Sequence, residues 1–279
     1  MCRILAYTGR PILLEDLVCR PEHSLVHQAL AAHEGKTPTN GDGFGIGWYG
    51  EREVPGVYRE TLPAWSDENL RSICSQVRSP LFFAHVRAST EAAVARVNCH
   101  PFVHGRWMFM HNGQIGGHKK IRRGVEALID DDLYEKRVGS TDSEAFFLAA
   151  VSEGLEDDPV DAVARTIRRV LDLQAAAGID EAFRFAACLT DGERLWAFRW
   201  SSDPFPPTLY LCERDGGVIV VSEPIDEACG SWVSVPKCGY VTLRRGGVPE
   251  FGSLDRVICD CACERLAVGE RRPQRSRNI

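Results

Sequence analysis

The sequence predicts an α+β fold in which two sheets are covered by helices. Three observations carry this. Short apolar runs of strand character fill both ends of the chain, helical patterns fill the middle, and no repeat or low-complexity linker divides them. The elements follow in order. CRILAY (Cys2 to Tyr7) reads as a first strand. PEHSLVHQALAAHEG sets Leu25, Val26, Ala29, Leu30 and Ala32 on one helical face that ends at Gly35. FGIGWYG and GVYRE read as strands joined by the loop EREVP. In WSDENLRSICSQV, Ser66 is the expected N-cap, with Leu70, Ile73 and Val77 on one side. LFFAHVRAS and RWMFMHNG are strands, and the second is expected to stop at Asn112-Gly113. STDSEAFFLAAVSEG is a helix whose start, Ser140 to Glu144, offers capping hydroxyls and carboxylates.

A long helix, PVDAVARTIRRVLDLQAAAG, opens the second half. The short strands FRFAACLTD, RLWAFRW, TLYLCE, GVIVVSE and GYVTLRR follow, with turn signals at Asp191-Gly192, Asp215-Gly216-Gly217 and Gly246-Gly247. A domain over residues 2–254 and a Cys-containing, basic tail over 255–279 are expected, the tail mobile.

The 279 residues are 44% hydrophobic and 26% charged, enough for a full core without staples. A net charge of −6 supplies no basic field, so neither nucleic acid nor a membrane surface is an expected partner. No apolar run approaches the roughly 18 residues of a membrane span, and the start lacks a signal-peptide pattern. The expected location is cytoplasmic. There, 11 scattered cysteines mean buried small hydrophobes, metal ligands or a nucleophile rather than a disulfide frame. CDCAC (Cys259 to Cys263) could bind zinc with Cys229 or Cys238, but structural zinc sites usually pair cysteines as C-x₂₋₄-C. Solvent-facing thiols are expected instead, with no metal and no cofactor. Arg271, Arg272, Arg275 and Arg277 read as a solvated tail.

Cys2 is the first candidate for chemistry. Removal of Met1 leaves a thiol and a free α-amine on one residue, and an α-amine titrates near 7.7–8.0. It can take the thiol proton, as N-terminal nucleophiles do. Taken alone, Cys2 fits a buried strand cysteine better than a nucleophile. AHVRAST, FMHNGQI and GSTDSE add to the chemical reading. Arg87 can grip an α-carboxylate with two parallel hydrogen bonds. Asp142 can hold an α-ammonium group. The Asn112 amide and the Gly113 N–H can form an oxyanion hole, where glycine allows close backbone approach. Each also has a plain structural explanation: a surface arginine, a helix cap, a hairpin turn.

Cys2, NGDGFGIGWY, HVRAST, HNG and GSTDSE, in that order, resemble the class II glutamine amidotransferases, whose catalytic domain is an N-terminal-nucleophile (Ntn) hydrolase. The resemblance is close over residues 2–150 and looser to about 254, through VSEPID and WVSVPKCGYVTL. It implies a four-layer αββα sandwich of two mainly antiparallel sheets. It implies Cys2 as nucleophile, Asn112 and Gly113 as the oxyanion hole, and Arg87, Thr90 and Asp142 as the residues that bind the glutamine α-carboxylate and α-amine. NGDGFG, with Asp42 and Gly43, matches a glycine-rich loop lining the site; Asp42 is expected to bond nearby backbone N–H groups.

RPEHSLVHQ, PAWSDENL, NCHPF and HNGQI resemble the γ-glutamyl-hydrolysing branch. That branch takes in the amidotransferase-like subunit of fungal glutathione-degrading complexes, the ergothioneine-pathway γ-glutamyl hydrolase and small bacterial amidotransferase-like proteins. Of the histidines at 85, 100, 104 and 111, His100 and His111 are the pocket-wall candidates. Trp48, Trp65 and Trp107 are expected in the core or at its rim.

The activity implied is hydrolysis of a γ-glutamyl amide through a Cys2 thioester. The partner implied is a small γ-glutamyl substrate, with either a homodimer or a partner subunit. The alternatives are a glutaminase subunit that delivers ammonia to a synthase, and a non-catalytic binding scaffold.

Overall fold

The computed structural model describes residues 2–34, 39–89, 92–227, 232–255 and 257–258. Its strands are β1 (Arg3–Leu13), β2 (Phe44–Trp48), β3 (Gly56–Glu60), β4 (Arg78–Val86), β5 (Phe102–His104), β6 (Trp107–Gln114), β7 (Arg184–Thr190), β8 (Arg194–Ser201), β9 (Tyr210–Arg214), β10 (Gly217–Val221), β11 (Val233–Ser234), β12 (Gly239–Arg244) and β13 (Glu250–Ser253). The helices are α1 (Glu15–Val18), α2 (Leu25–Leu30), α3 (Glu68–Gln76), α4 (His118–Glu126), α5 (Asp131–Tyr134), α6 (Asp142–Ser152) and α7 (Pro159–Ala176). A seven-stranded sheet runs β11-β9-β10-β1-β4-β2-β3 and a six-stranded sheet β13-β12-β8-β7-β6-β5. Every pairing is antiparallel.

Alternation along the strands builds the layers. Ile4, Ala6, Phe83, Met108 and Met110 meet between the two sheets. Their neighbours Leu5, Tyr7, Phe82 and Ala84 face away and pack with Leu17, Leu25 and Leu70 from α1 to α3. Trp107 and Phe109 pack instead with Phe146, Phe147, Ile167 and Val170 from α6 and α7. Successive side chains on a strand point to opposite faces, so one strand feeds two cores. The order helix, sheet, sheet, helix is the expected αββα sandwich.

Local expectations need four corrections. The helix expected over residues 21–35 is the short α2, capped by Ser24, which accepts from the His27 N–H at 3.3 Å. Asp67, not Ser66, caps α3: its carboxylate accepts from Leu70 N–H at 2.6 Å, and Ser66 instead bonds the Pro63 carbonyl. A carboxylate at the cap also suits the helix dipole. β6 does not stop at Asn112-Gly113; those residues pair with Ala186 and Phe185, and the strand runs on to Gln114. Cys212 is disulfide-bonded, against the expectation of reduced thiols throughout. Helices α4 and α5 and strands β5, β11 and β13 carried no expectation. Trp107 is buried, while Trp48 and Trp65 are half-buried at the edge of the core. Ile258 packs against the same core as Leu254, so the packed segment passes residue 254. CDCAC, Cys229 and the basic tail lie outside the described residues. No helix among the described residues is long and apolar enough to cross a membrane.

Candidate active site

The site forms where the facing surfaces of the two sheets meet at one end. Arg3 pairs with Val86, so Cys2 comes beside Arg87. By strand alternation Cys2 shares the inter-sheet face of Ile4 and Ala6. Its Sγ lies 3.6 Å from the Ala88 carbonyl oxygen. Burial pushes the thiol up; hydrogen bonding at the Ala88 backbone and the charges of Arg87 and Arg3 pull it partway back. A thiol held in its protonated form needs a base before it can attack.

Arg87 is buried, and protein acceptors hold its guanidinium. Nη1 donates to the Asp42 carbonyl at 3.3 Å; Nη2 donates to Ser89 Oγ at 3.1 Å and to the Ala92 carbonyl at 3.2 Å. Two backbone bonds tie the end of β4 to the glycine-rich loop: Asp42 N–H to Arg87 O at 3.0 Å and Arg87 N–H to Gly43 O at 2.8 Å. The Asp42 carboxylate accepts from a backbone N–H, that of Ser89 at 2.8 Å, distant in sequence rather than within its own turn. Gly43 has φ +112°, and a Cβ there would fall 2.7 Å from Cys99 Sγ, so the loop needs glycine at this position. Thr90 lies outside the described residues.

On the opposite sheet, Asn112 follows Met108 and Met110 on the inter-sheet face. It is fully buried, and neither Oδ1 nor Nδ2 has a hydrogen-bond partner among the described residues. Such a group ordinarily costs about 1–3 kcal/mol of stability. Gly113 faces the other way, where a Cβ would meet the Arg184 carbonyl oxygen at 1.9 Å.

His111 is fastened at both nitrogens, Nδ1 to Ser143 Oγ at 2.9 Å and Nε2 to the Arg184 carbonyl at 3.2 Å. The carbonyl requires the proton on Nε2, which leaves Nδ1 to accept from the Ser143 hydroxyl. Neither nitrogen is then free to act as a base. Asp142 begins α6 and accepts from Ile115 N–H at 2.9 Å and Ser143 N–H at 2.8 Å. These bonds place it beside the end of β6.

His85 joins the two sheets, its Nε2 lying 3.4 Å from the His111 carbonyl oxygen. It stacks on His100 at 4.1 Å between ring centroids. Both are buried, and His100 has no partner at either nitrogen among the described residues. Burial drives the His85 value down to about 3 and holds His100 well below 6.5, so both rings are neutral near pH 7. Direct bonds thus join Arg87 to Asp42 and Gly43, the His85–His100 stack lies along the same sheet and touches the backbone of His111, and Asp142 sits beside the end of β6. His104 lies half-buried on β5, away from these contacts.

A buried network behind Cys2 carried no expectation. Arg3 Nη1 donates to the Cys2 carbonyl at 3.3 Å, and Arg3 Nε lies 3.2 Å from Glu223 Oε2. The second contact is an ion pair by distance, without hydrogen-bond alignment. Glu223 also accepts from His33 N–H at 2.8 Å, Glu34 N–H at 3.0 Å and His23 Nε2. An arginine inside an apolar first strand was the available signal, because such a charge needs a buried partner. His23, His33 and Glu223 lie close enough together to hold a metal ion. Arg3 and two backbone N–H groups already satisfy that carboxylate, so its counter-charge is internal.

These layers match solved structures of the amidotransferase fold. A glutamine aminotransferase class-II domain protein from Silicibacter pomeroyi superposes with a TM-score of 0.74 at 39% identity, over 90% of this chain and 98% of that one. The glutamine phosphoribosylpyrophosphate amidotransferase of B. subtilis shares the fold with a TM-score of 0.64 at 13% identity, over 91% of this chain and 49% of that one. The architecture is thus that of the Ntn-type amidotransferases. Residues 16–215 match the family described as glutamine amidotransferases class-II, and the chain belongs to that family. It is 32% identical to the probable glutamine amidotransferase DUG3 of Saccharomyces cerevisiae, over 88% of this chain and 82% of that protein. It is 31% identical to the γ-glutamyl-hercynylcysteine sulfoxide hydrolase of Mycolicibacterium smegmatis, over 88% of this chain and 96% of that protein.

Proposed function

We propose that this protein hydrolyses a γ-glutamyl amide through a thioester on Cys2. The observation that carries this is Asn112. A buried amide with no partner among the described residues, on the face that Cys2 shares across the sheet interface, is a donor kept for a substrate oxygen. Loss of Met1 frees the Cys2 α-amine, which takes the thiol proton. The thiolate attacks the γ-carbonyl carbon, and the oxyanion is held by the Asn112 Nδ2–H and the Gly113 N–H. The α-ammonium returns the proton to the leaving nitrogen as the C–N bond breaks, leaving a γ-glutamyl thioester. Water then attacks, gives its proton to the α-amine, and releases glutamate as the thiol re-forms. Arg87 and Asp142, with Thr90, hold the α-carboxylate and α-ammonium ends of the glutamyl group. No histidine acts as base, consistent with the fastened nitrogens of His111 and the low basicity of His85.

The name of one relative, a γ-glutamyl-hercynylcysteine sulfoxide hydrolase, supports a γ-glutamyl compound, while that of DUG3 names glutamine. The test is intact-mass detection of the acyl-enzyme with glutamine and γ-glutamyl peptides. The wild-type protein should gain one glutamyl group, and Cys2→Ala should neither gain it nor turn over. Retained turnover in Cys2→Ala would overturn the mechanism.

A further inference from the structure

Cys2 lies one residue beyond the ladder of its strand. The pairing of β1 with β4 begins at Arg3 and Val86. On the other side Ser222 holds Ile4: its Oγ accepts from the Ile4 N–H at 3.0 Å, and its own N–H donates to the Ile4 carbonyl at 3.1 Å. A chain end past its ladder frays unless something ties it down. Among the described residues two hydrogen bonds hold Cys2. One is Sγ on the Ala88 carbonyl, and the other is Arg3 Nη1 on the Cys2 carbonyl at 3.3 Å. The first uses the atom that must leave to attack. Only the second can persist through the reaction.

Arg3 is itself immobilised. Its side chain is fully buried, with Nε facing Glu223 Oε2 at 3.2 Å. Glu223 accepts from the His33 and Glu34 N–H groups and from His23, and Gln28 Nε2 donates to its carbonyl at 3.2 Å. The guanidinium therefore spans from a fastened carboxylate to the nucleophilic residue. Apolar side chains of similar volume often serve a core as well as a buried ion pair does, or better. Stability alone thus gives no reason for a guanidinium here. Its place beside Cys2 does. Standard bond lengths put the Cys2 nitrogen within about 7.5 Å of Arg3 Nη1.

We propose that Arg3 is a positioning residue for the nucleophile: it pins Cys2 by its carbonyl and sets a fixed cation beside the α-amine. This rests on the γ-glutamyl hydrolase reading. A cation at that range disfavours the α-ammonium form, so the amine stays able to take the thiol proton. The same charge, with that of Arg87, favours the thiolate. The other charged or titratable groups around Cys2 are Cys99, Asp42, Asp142, the buried His85, His100 and His111, and Glu34 behind Arg3. The variants below leave all of these in place.

The test is the pH profile of kcat/KM with glutamine and with γ-glutamyl-alanine, whose acid limb reports the α-amine of the free enzyme. Arg3→Met should move that limb up by at least about half a pH unit. It should also lower kcat about tenfold per active site, counted by acyl-enzyme mass, with KM within about twofold. Arg3→Lys keeps the charge but not the planar fork, so its limb should stay at the wild-type pH while kcat recovers only in part. The double variant Arg3→Met/Glu223→Gln is measured beside them, because a buried pair tolerates loss of both partners better than loss of one. It should show the same upward shift. A merely structural role would change the amount of active enzyme and leave the limb where it is. An unmoved limb in the methionine variants overturns the proposal, and Cys2-dependent turnover then leaves the hydrolase reading standing. If neither methionine variant turns over, Arg3→Lys decides: a lowered kcat at unchanged KM and limb supports the proposal, and an undiminished kcat overturns it. Absence of Cys2-dependent turnover in the wild type removes both.

Discussion

Acidification from pH 8 to pH 5 should destabilise the protein by about 2 kcal/mol through His85, with His100 and His111 adding in the same direction. His85 is fully buried between the sheets and titrates near 3 in the folded state, because burial penalises the imidazolium. Its unfolded value is about 6.5. The folded value is the lower one, so the native state binds fewer protons. Stability is therefore complete above pH 6.5 and falls as pH drops towards the folded value. At pH 5 the unfolded histidine lies about 1.5 units below its own pKa, which corresponds to about 2 kcal/mol. His100 and His111 are depressed by burial as well and act in the same direction. Asp203, held low by Arg184, loses its contribution only at more acid pH. A loss of about 2 kcal/mol from His85 alone is a sizeable part of a typical 5–15 kcal/mol stability. Urea melts at pH 8, 6.5 and 5 measure it, on the wild type and on His85→Leu. The variant should show a shallower pH dependence, by about 2 kcal/mol between pH 8 and pH 5. Equal slopes between pH 6.5 and 5 in the two proteins would refute the argument.

Asn112→Leu should separate activity from stability. Turnover should fall by about 10²–10³, the cost of one oxyanion donor, while the urea midpoint holds or rises because an unpaired buried amide is removed. A clear fall in the midpoint would mean that the amide has a structural partner. Glu223→Ala should cost about 3–5 kcal/mol, since it leaves the Arg3 guanidinium buried without its counter-charge. Calorimetry at pH 7.5 tests this, and a Tm unchanged within error would place the charge compensation of Arg3 elsewhere.

Much of this molecule is readable from residue order. Alternation in CRILAY, LFFAHV and RWMFM marks strands that feed two cores, and the helical run PVDAVARTIRRVLDLQAAAG marks α7. The readings that failed did so where local signals compete. Asn-Gly is a turn signal, yet Asn112 and Gly113 continue β6, because the ladder to Ala186 and Phe185 outweighs turn propensity. Ser66 and Asp67 are both cap formers, and which of them caps depends on where the short turn at Ala64–Ser66 ends.

By itself, the sequence determined the two-sheet, helix-covered class, and it determined the presence of Cys2, Arg87, Asn112, Gly113 and Asp142, because residue types and strand periods are local properties. Tertiary structure alone decided which groups lack partners. Asn112 and His100 without side-chain partners among the described residues, and Arg3 tied to Glu223, are facts about neighbours distant in the chain. Solvation and pairing depend on what the fold brings within a few ångströms, and no local pattern encodes that distance.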